Sequence, residues 1–88
     1  MTLSNELYTK LQILEPLELK IEDESAKHAG HAGNSGGGHY NIYIVSSQFS
    51  AKSQIMRHRL IYQALTDFFP NKIHALSIRA FAPDELNL

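Results

Sequence analysis

Cysteine is absent from this chain of 88 residues, and so is tryptophan. Without cysteine the chain can form no disulfide, offer no thiolate nucleophile and supply no thiolate ligand to a metal. A metal site in this chain must therefore use histidine, aspartate or glutamate, or take sulfur from a partner molecule.

An excess of charge and a long apolar run are also missing. The formal net charge is −1 and the isoelectric point is near 6.5, whereas phosphate recognition usually shows as a basic excess. No run approaches the roughly 20 apolar residues that span a bilayer. The opening residues, MTLSNELYTK, lack the features of a signal or transit peptide. We therefore predict a cytoplasmic protein with no membrane association.

The chain does contain enough apolar material for one folded domain over residues 1–88. Its hydrophobic content of 43% and charged content of 19% are those of an ordinary globular protein. Apolar residues at helical spacing over residues 3–15 predict a first helix, which Pro16 ends. Two strands are predicted next, because LELKIEDE alternates apolar and charged residues and residues 39–47 are rich in β-branched and aromatic ones.

The second half of the chain predicts a helix and a closing strand. Either Ser50 or Ser53 would cap the helix, and Pro70 would end it. The predicted apolar stripe consists of Met56, Leu60, Ala64 and Phe68, with Ile61 and Leu65 beside it. Alternation in the closing strand gives one apolar face, made of His74, Leu76, Ile78 and Ala80, and an opposite face with Ser77 and Arg79.

The order helix, strand, strand, helix, strand decides the fold class. The first two strands are expected to pair antiparallel, and the helix between the last two makes those parallel. The sequence therefore predicts an α+β fold in which a three-stranded mixed sheet carries both helices on one face.

All five glycines and three of the five histidines fall within HAGHAGNSGGGHY, residues 28–40. We predict a mobile loop over about residues 25–38 between the first two strands. Neutral imidazole is a common metal ligand, so His28 and His31 are candidate ligands, although i, i+3 spacing in a glycine-rich loop imposes no ligand geometry. A solvated connection whose histidines bind nothing explains the same composition.

His74 and three cations of the second helix are the other candidates. A histidine on an apolar strand face more often packs than binds a metal, but at the start of a strand one ring nitrogen can reach solvent. Lys52, Arg57 and Arg59 are candidate phosphate contacts, and a solvated helix face fits them as well. No serine or acidic pair has the context of a catalytic group, so no enzyme is predicted.

Several motifs together resemble the BolA family. They are DES at 23–25 followed by a loop histidine, HY before IVSSQF, RHRLIYQAL at 57–65 and IHALSIRA at 73–80. These motifs cover nearly the whole chain in the family's order. The resemblance implies a class II KH-like α-β-β-α-β fold, which agrees with the predicted elements.

The resemblance also implies a function. BolA-like proteins pair with monothiol glutaredoxins and share a [2Fe–2S] cluster, to which the glutaredoxin contributes a cysteine and a bound glutathione. By resemblance, His74 is the expected ligand from the final strand and His28 the expected loop ligand. His31 is the alternative loop ligand, because this loop is longer and richer in glycine than is usual in the family. Mixed imidazole and thiolate ligation resembles Rieske-type clusters, in which imidazole raises the reduction potential.

A cluster held by a flexible loop is expected to be labile, because the loop loses entropy when its ligand binds. Such a cluster suits iron–sulfur trafficking or iron and redox regulation. Family members are also linked to transcription regulation through the KH-like fold, so DNA binding through Lys52, Arg57 and Arg59 is the alternative function. Weak self-association of the free chain is a further prediction.

Overall fold

The computed structural model describes residues 3–24, 38–68 and 73–86. The regular elements are α1 (Leu3–Leu11), β1 (Glu18–Asp23), β2 (Gly38–Val45), α2 (Gln54–Ala64) and β3 (Ile73–Phe81). Short 3-10 turns occupy Gln12–Leu14, Ser47–Phe49, Thr66–Phe68 and Pro83–Leu86. The predicted loop over residues 25–38 lies outside the described residues except for Gly38, which begins β2 instead of ending the loop.

The sheet has the strand order β1-β2-β3. β1 and β2 pair antiparallel, whereas β2 and β3 pair parallel. The parallel pair is connected through α2, because parallel strands need a crossover connection and cannot be joined by a tight turn. The predicted α+β fold with a mixed three-stranded sheet is confirmed.

One hydrophobic core joins both helices to the same face of the sheet. Leu7 and Leu11 of α1 and Ile61 of α2 are fully buried in one cluster with Ile42 and Ile44 of β2. Burial alternates along β2, as expected for a strand with one covered face. Within the described ranges, no helix is long and apolar enough to cross a membrane.

The turn between α1 and β1 is fixed by polar contacts. Glu15 adopts a left-handed conformation with φ 51° after the 3-10 turn, and Pro16 follows it. The buried hydroxyl of Ser46 donates to the carbonyl oxygen of Leu14 at 2.6 Å, which ties this turn to the end of β2. Leu17 begins the alternating segment LELKIEDE that predicts the first strand, but it precedes β1 and is 70% exposed.

Ser53 caps the start of α2, and its hydroxyl accepts a hydrogen bond from the Met56 amide at 3.2 Å. The predicted apolar stripe is wrong at Met56, which is 44% exposed, whereas its neighbour Arg57 is buried. Further along, Ile61 and Phe68 are buried as expected for the core side. The Arg57 side of α2, and not the Met56 side, therefore faces the core. Arg57 can lie there because its guanidinium group has hydrogen-bond partners at the edge of the core.

Candidate functional site

Three segment ends meet at one end of the sheet. Because β1 is antiparallel to β2 and β3 is parallel to it, the end of β1 and the starts of β2 and β3 lie together. The Glu24 amide donates to the His39 carbonyl oxygen at 2.7 Å, and Gly38 pairs with Ile73. One end of the histidine- and glycine-rich segment, at Gly38, is therefore paired with the start of β3, and the other end, at Glu24, lies one strand further away at the same end of the sheet.

A register shift marks this end of the sheet. Gly38 pairs with Ile73 but His39 pairs with Ala75, so β3 contains one additional residue, His74, at this point. Such bulges locally redirect a strand and occur often beside functional sites. The face that His74 presents stays a prediction, because the structure describes its backbone and not its side chain.

Of the three histidines in residues 28–40, the structure describes only His39. His28 and His31 lie outside the described residues. His39 is partly buried on the face of β2 that also carries Asn41. The Asn41 amide donates to the Glu24 carboxylate and so holds the ends of β1 and β2 together. Among the residues that the structure describes, no three or more histidines, aspartates or glutamates are grouped as a metal site.

Arg57 was predicted as a phosphate contact, and this prediction is wrong. Only 3% of the residue is exposed. Its Nε donates to the Lys52 carbonyl oxygen at 2.9 Å, and Nη1 donates to the Ala80 carbonyl oxygen at 3.0 Å. Nη1 and Nη2 also donate to the two carboxylate oxygens of Glu85, at 2.6 and 2.7 Å. The guanidinium group is thus held inside the protein and cannot meet an external phosphate.

The Arg57–Glu85 pair perturbs both groups. Hydrogen bonds from Arg57, and then from the Ala82 amide at 2.8 Å, lower the pKa of Glu85 to about 2. The same hydrogen bond to Glu85 raises the pKa of the Arg57 guanidinium. The pair joins α2 to the Pro83–Leu86 turn after β3, so its role in this structure is to fasten the C-terminal segment.

Lys52 and Arg59, the remaining candidate phosphate contacts, are both exposed. The Lys52 ammonium donates to the Gln48 carbonyl oxygen at 2.8 Å, which leaves donor capacity on its other hydrogens. The predicted group of three cations is therefore reduced to two.

The sheet face opposite the helices carries a row of side chains that spacing along the sequence does not predict. Lys20 pairs with Tyr43, and Tyr43 pairs with Arg79, across the three strands. The signal was present in the segment NIYIV, where Tyr43 alternates with the buried Ile42 and Ile44. The β-branched and aromatic residues of 39–47 predict a strand, but they do not reveal which residues of the neighbouring strands lie beside Tyr43.

Comparison with known proteins identifies the family. The family model described as BolA-like protein matches residues 11–85. SufE-like protein 1, chloroplastic/mitochondrial, from Arabidopsis thaliana is 48% identical over 79 residues, which cover 83% of this chain and 21% of that protein. The DNA-binding transcriptional regulator BolA from Haemophilus influenzae is 37% identical over 71 residues, which cover 81% of this chain and 67% of that protein.

A solved structure agrees with these relatives. BolA1 from Arabidopsis thaliana matches with a TM-score of 0.83 and 42% sequence identity, covering 97% of this chain and 96% of that chain. Other curated relatives are about twice as long as the matched region, since the chain spans 48% to 55% of their lengths. The cytoplasmic location stays a prediction, because the first relative is named as chloroplastic or mitochondrial.

Proposed function

The chain belongs to the BolA-like protein family, and from this premise we propose that it is a non-enzymatic partner of a monothiol glutaredoxin. The two proteins share a labile [2Fe–2S] cluster, to which the glutaredoxin contributes its cysteine thiolate and a bound glutathione. This chain contributes His74 and one loop histidine, His28 or His31.

The donor set of the chain supports a shared cluster. The chain has no cysteine, and its described part has no group of three or more potential ligands. It therefore suits a role in which sulfur comes from the partner and this chain adds only one or two imidazoles. The residues fit a shared cluster and do not fit a cluster held by this chain alone.

The single observation that carries the proposal is the meeting of segment ends beside His74. His28 follows Glu24 by four residues, a separation that an extended chain spans in about 14 Å. His31 is seven residues from both Glu24 and Gly38, which corresponds to about 25 Å. Since β1 and β3 are two strand spacings apart, roughly 10 Å, chain length permits either histidine to act with His74.

Such a cluster carries an electron or is itself the cargo that is passed on, and imidazole ligation raises its reduction potential. The role of this chain is to position imidazole nitrogens at one end of its sheet. A ligand from a long glycine-rich segment loses entropy on binding, which favours release. This supports a role in iron–sulfur cluster trafficking or in iron and redox regulation.

The test is a titration of this protein into a cluster-loaded monothiol glutaredoxin, followed by visible absorption and circular dichroism. We expect the wild-type protein to change the cluster spectrum and His74→Ala to leave it unchanged. His28→Ala and His31→Ala identify the loop ligand, since only one of them should reduce the change. His58→Ala on α2 is the matched control and should behave as the wild type does.

A complex that forms normally while His74→Ala, His28→Ala and His31→Ala all give the wild-type spectrum would identify a docking adaptor that does not ligate the cluster. That result contradicts co-ligation by His74. Absence of any complex contradicts the partnership as a whole.

A second candidate function is regulation through DNA, and the name of the Haemophilus influenzae relative favours it. In this chain the exposed Lys52 and Arg59 would contact phosphates. With two contacts the logarithm of the affinity for duplex DNA should fall with the logarithm of salt concentration at a slope of about −1.8. A gel-shift series over several salt concentrations tests this, and a slope near zero contradicts it.

A further inference from the structure

β3 forms one edge of the sheet, and its backbone groups alternate between two directions. The strand order β1-β2-β3 leaves one side of β3 unpaired by any strand that the structure describes. In a strand the N–H and C=O of one residue point to one side, and those of the next residue point to the other. The Phe81 carbonyl oxygen accepts from the Ser46 amide at 3.0 Å, so Phe81 faces β2. Since the register is regular from Ala75 to Phe81, Ser77 and Arg79 also face β2 and the residues between them face outward.

A side chain closes the last part of this outer edge. Arg57 Nη1 donates to the Ala80 carbonyl oxygen at 3.0 Å, which agrees with an outward direction for Ala80. Leu76 and Ile78 come earlier in the strand, and their outward N–H and C=O groups pair with no other described strand. The outer edge of β3 is therefore open at Leu76 and Ile78 and closed at Ala80.

The opposite edge of the sheet, along β1, is protected. The Ile21 amide donates to the Tyr8 hydroxyl at 3.0 Å, so a side chain of α1 occupies an outward group of β1. Most residues of Glu18–Asp23 are also charged, and charged, short strands are a usual means of keeping an edge from pairing. β3 is longer, with 9 residues, and contains no proline and no acidic residue. Strand addition is therefore favoured at β3 and not at β1.

The side chains of Leu76 and Ile78 are incompletely covered. Both pack against the hydrophobic core on the helical side of the sheet. They are only partly buried, whereas Ile42, the register partner of Ile78 on the central strand, is buried. The difference follows from position, because a residue on an edge strand has a cross-strand neighbour on one flank only. Apolar side chains of an additional strand would cover the other flank.

The open face of the sheet determines which charge such a strand should carry. Ser77 and Arg79 are exposed on this face of β3. Neither β3 nor its neighbour β2 contains an acidic residue. A planar guanidinium group can hold a carboxylate through two parallel hydrogen bonds. An acidic residue on the added strand would therefore pair with Arg79, whereas β3 of a second copy of this chain would place no carboxylate there.

We propose that the outer edge of β3 binds an extended segment of a partner protein by strand addition. The segment alternates apolar and acidic residues, so that apolar side chains contact Leu76 and Ile78 and an acidic one pairs with Arg79. Backbone hydrogen bonds supply the affinity in this mode of recognition, and the alternate side chains supply the selectivity. The site uses no imidazole and no cation of α2, so its failure would leave the proposed function unaffected.

Amide hydrogen exchange, followed by nuclear magnetic resonance of the full chain, tests the edge directly. The Leu76 and Ile78 amides should exchange faster in the free protein than those of Ser77 and Arg79, which donate to β2. The probe is a peptide of about eight residues that alternates valine and glutamate, within the usual length of a strand. At about 90% saturation the Leu76 and Ile78 amides should exchange about ten-fold more slowly, since only the free protein exchanges.

Matched peptides and variants test the chemistry of the edge by fluorescence anisotropy. Arg79→Glu should weaken binding of the valine–glutamate peptide about ten-fold and strengthen binding of a valine–lysine peptide. Lys10→Glu on α1 makes the same change of charge away from this edge and should bind as the wild type does. A peptide of the same composition, with its valines and glutamates in two blocks, should bind poorly because its side chains do not alternate. Far-ultraviolet circular dichroism checks that both variants fold.

Protection of the Leu76 and Ile78 amides by the peptide, together with the changed preference of Arg79→Glu, supports the site. Absence of peptide binding would overturn it, and so would binding that leaves these two amides unprotected. Slow exchange of both amides in dilute free protein would show that another part of the chain covers the edge. Protection that grows with protein concentration alone would assign the edge to a second copy. Either of these last two results contradicts the proposal.

Discussion

Arg57 shows at the residue scale how a cation occupies a core-facing position on a helix. Its guanidinium group donates to the carbonyl oxygens of Lys52 and Ala80 and, in bidentate form, to the Glu85 carboxylate. A buried charge is tolerated only when it is paired and hydrogen-bonded in this way. One side chain therefore fastens the start of α2, the end of β3 and the C-terminal turn together.

The first prediction concerns stability in acid. The pKa of Glu85 falls from 4.5 in its ordinary state to about 2 in the folded protein. Between these values the unfolded state binds more protons than the folded state, so the stabilisation is complete above pH 4.5 and is lost as pH falls towards 2. We expect the free energy of unfolding, measured by urea denaturation, to decrease across this window.

Variants separate this contribution from general acid denaturation. Glu85→Gln should be less stable than the wild type at neutral pH and should lose less additional stability between pH 4.5 and 2. Glu18→Gln, which removes an exposed ion pair, should retain the wild-type acid dependence. If Glu85→Gln and the wild type lost the same stability between pH 4.5 and 2, the Arg57–Glu85 pair would not be the cause of that loss.

The second prediction concerns backbone strain at Ala51. This residue has φ 62°, in the left-handed region that costs a residue with a Cβ about 1–2 kcal/mol. Ala51→Gly removes that cost but adds about 0.5–1 kcal/mol of chain entropy. We expect the variant to gain up to about 1.5 kcal/mol, measured by urea denaturation. Ala64→Gly in α2 is the control and should lose about 1 kcal/mol, so a loss in both variants would contradict strain at Ala51.

At the scale of the element, α2 depends on a single cap. The Ser53 hydroxyl accepts from the Met56 amide at 3.2 Å, which satisfies one of the amides that a helix start leaves without a partner. Ser53→Ala should therefore lower the free energy of unfolding by about 1 kcal/mol. Ser50→Ala should change it by less than about 0.5 kcal/mol. Thermal and urea denaturation measure both, and equal losses would contradict the assignment of the cap.

The elements show what periodicity can and cannot predict. Strand alternation gave the correct faces for Ile78 and Arg79, because local spacing determines which side of a strand each residue takes. Spacing alone placed Met56 in the core instead of Arg57, since the partner of Arg57 is Glu85, 28 residues away. The bulge at His74 has the same origin, because register depends on the neighbouring strand and not on the sequence of β3.

At the scale of the whole molecule, the fold is a single helical layer on a three-stranded sheet. The order of elements and the parallel pairing follow from connection rules, so the sequence predicted them correctly. The open face follows from the predicted placement of both helices on one side of the sheet, but the row of Lys20, Tyr43 and Arg79 on that face was not predicted, because cross-strand partners depend on register and not on local spacing. Weak self-association and cytoplasmic location stay predictions.

The candidate cluster site was predictable only in part. The motif IHALSIRA drew attention to His74 at the start of β3, and the topology brings that start to the ends of the histidine-rich segment. Sequence could not decide between His28 and His31, because a glycine-rich segment imposes no fixed spacing on its side chains.

One measurement tests the central claim most directly. This protein, with its histidine nitrogens isotopically labelled, is combined with an unlabelled cluster-loaded glutaredoxin, and the reduced complex is examined by pulsed electron paramagnetic resonance. Two strongly coupled nitrogens that change with the label in the wild type and in His58→Ala, of which one is lost in His74→Ala, are the predicted result. A complex in which no coupled nitrogen responds to the label would contradict ligation of the cluster by this chain.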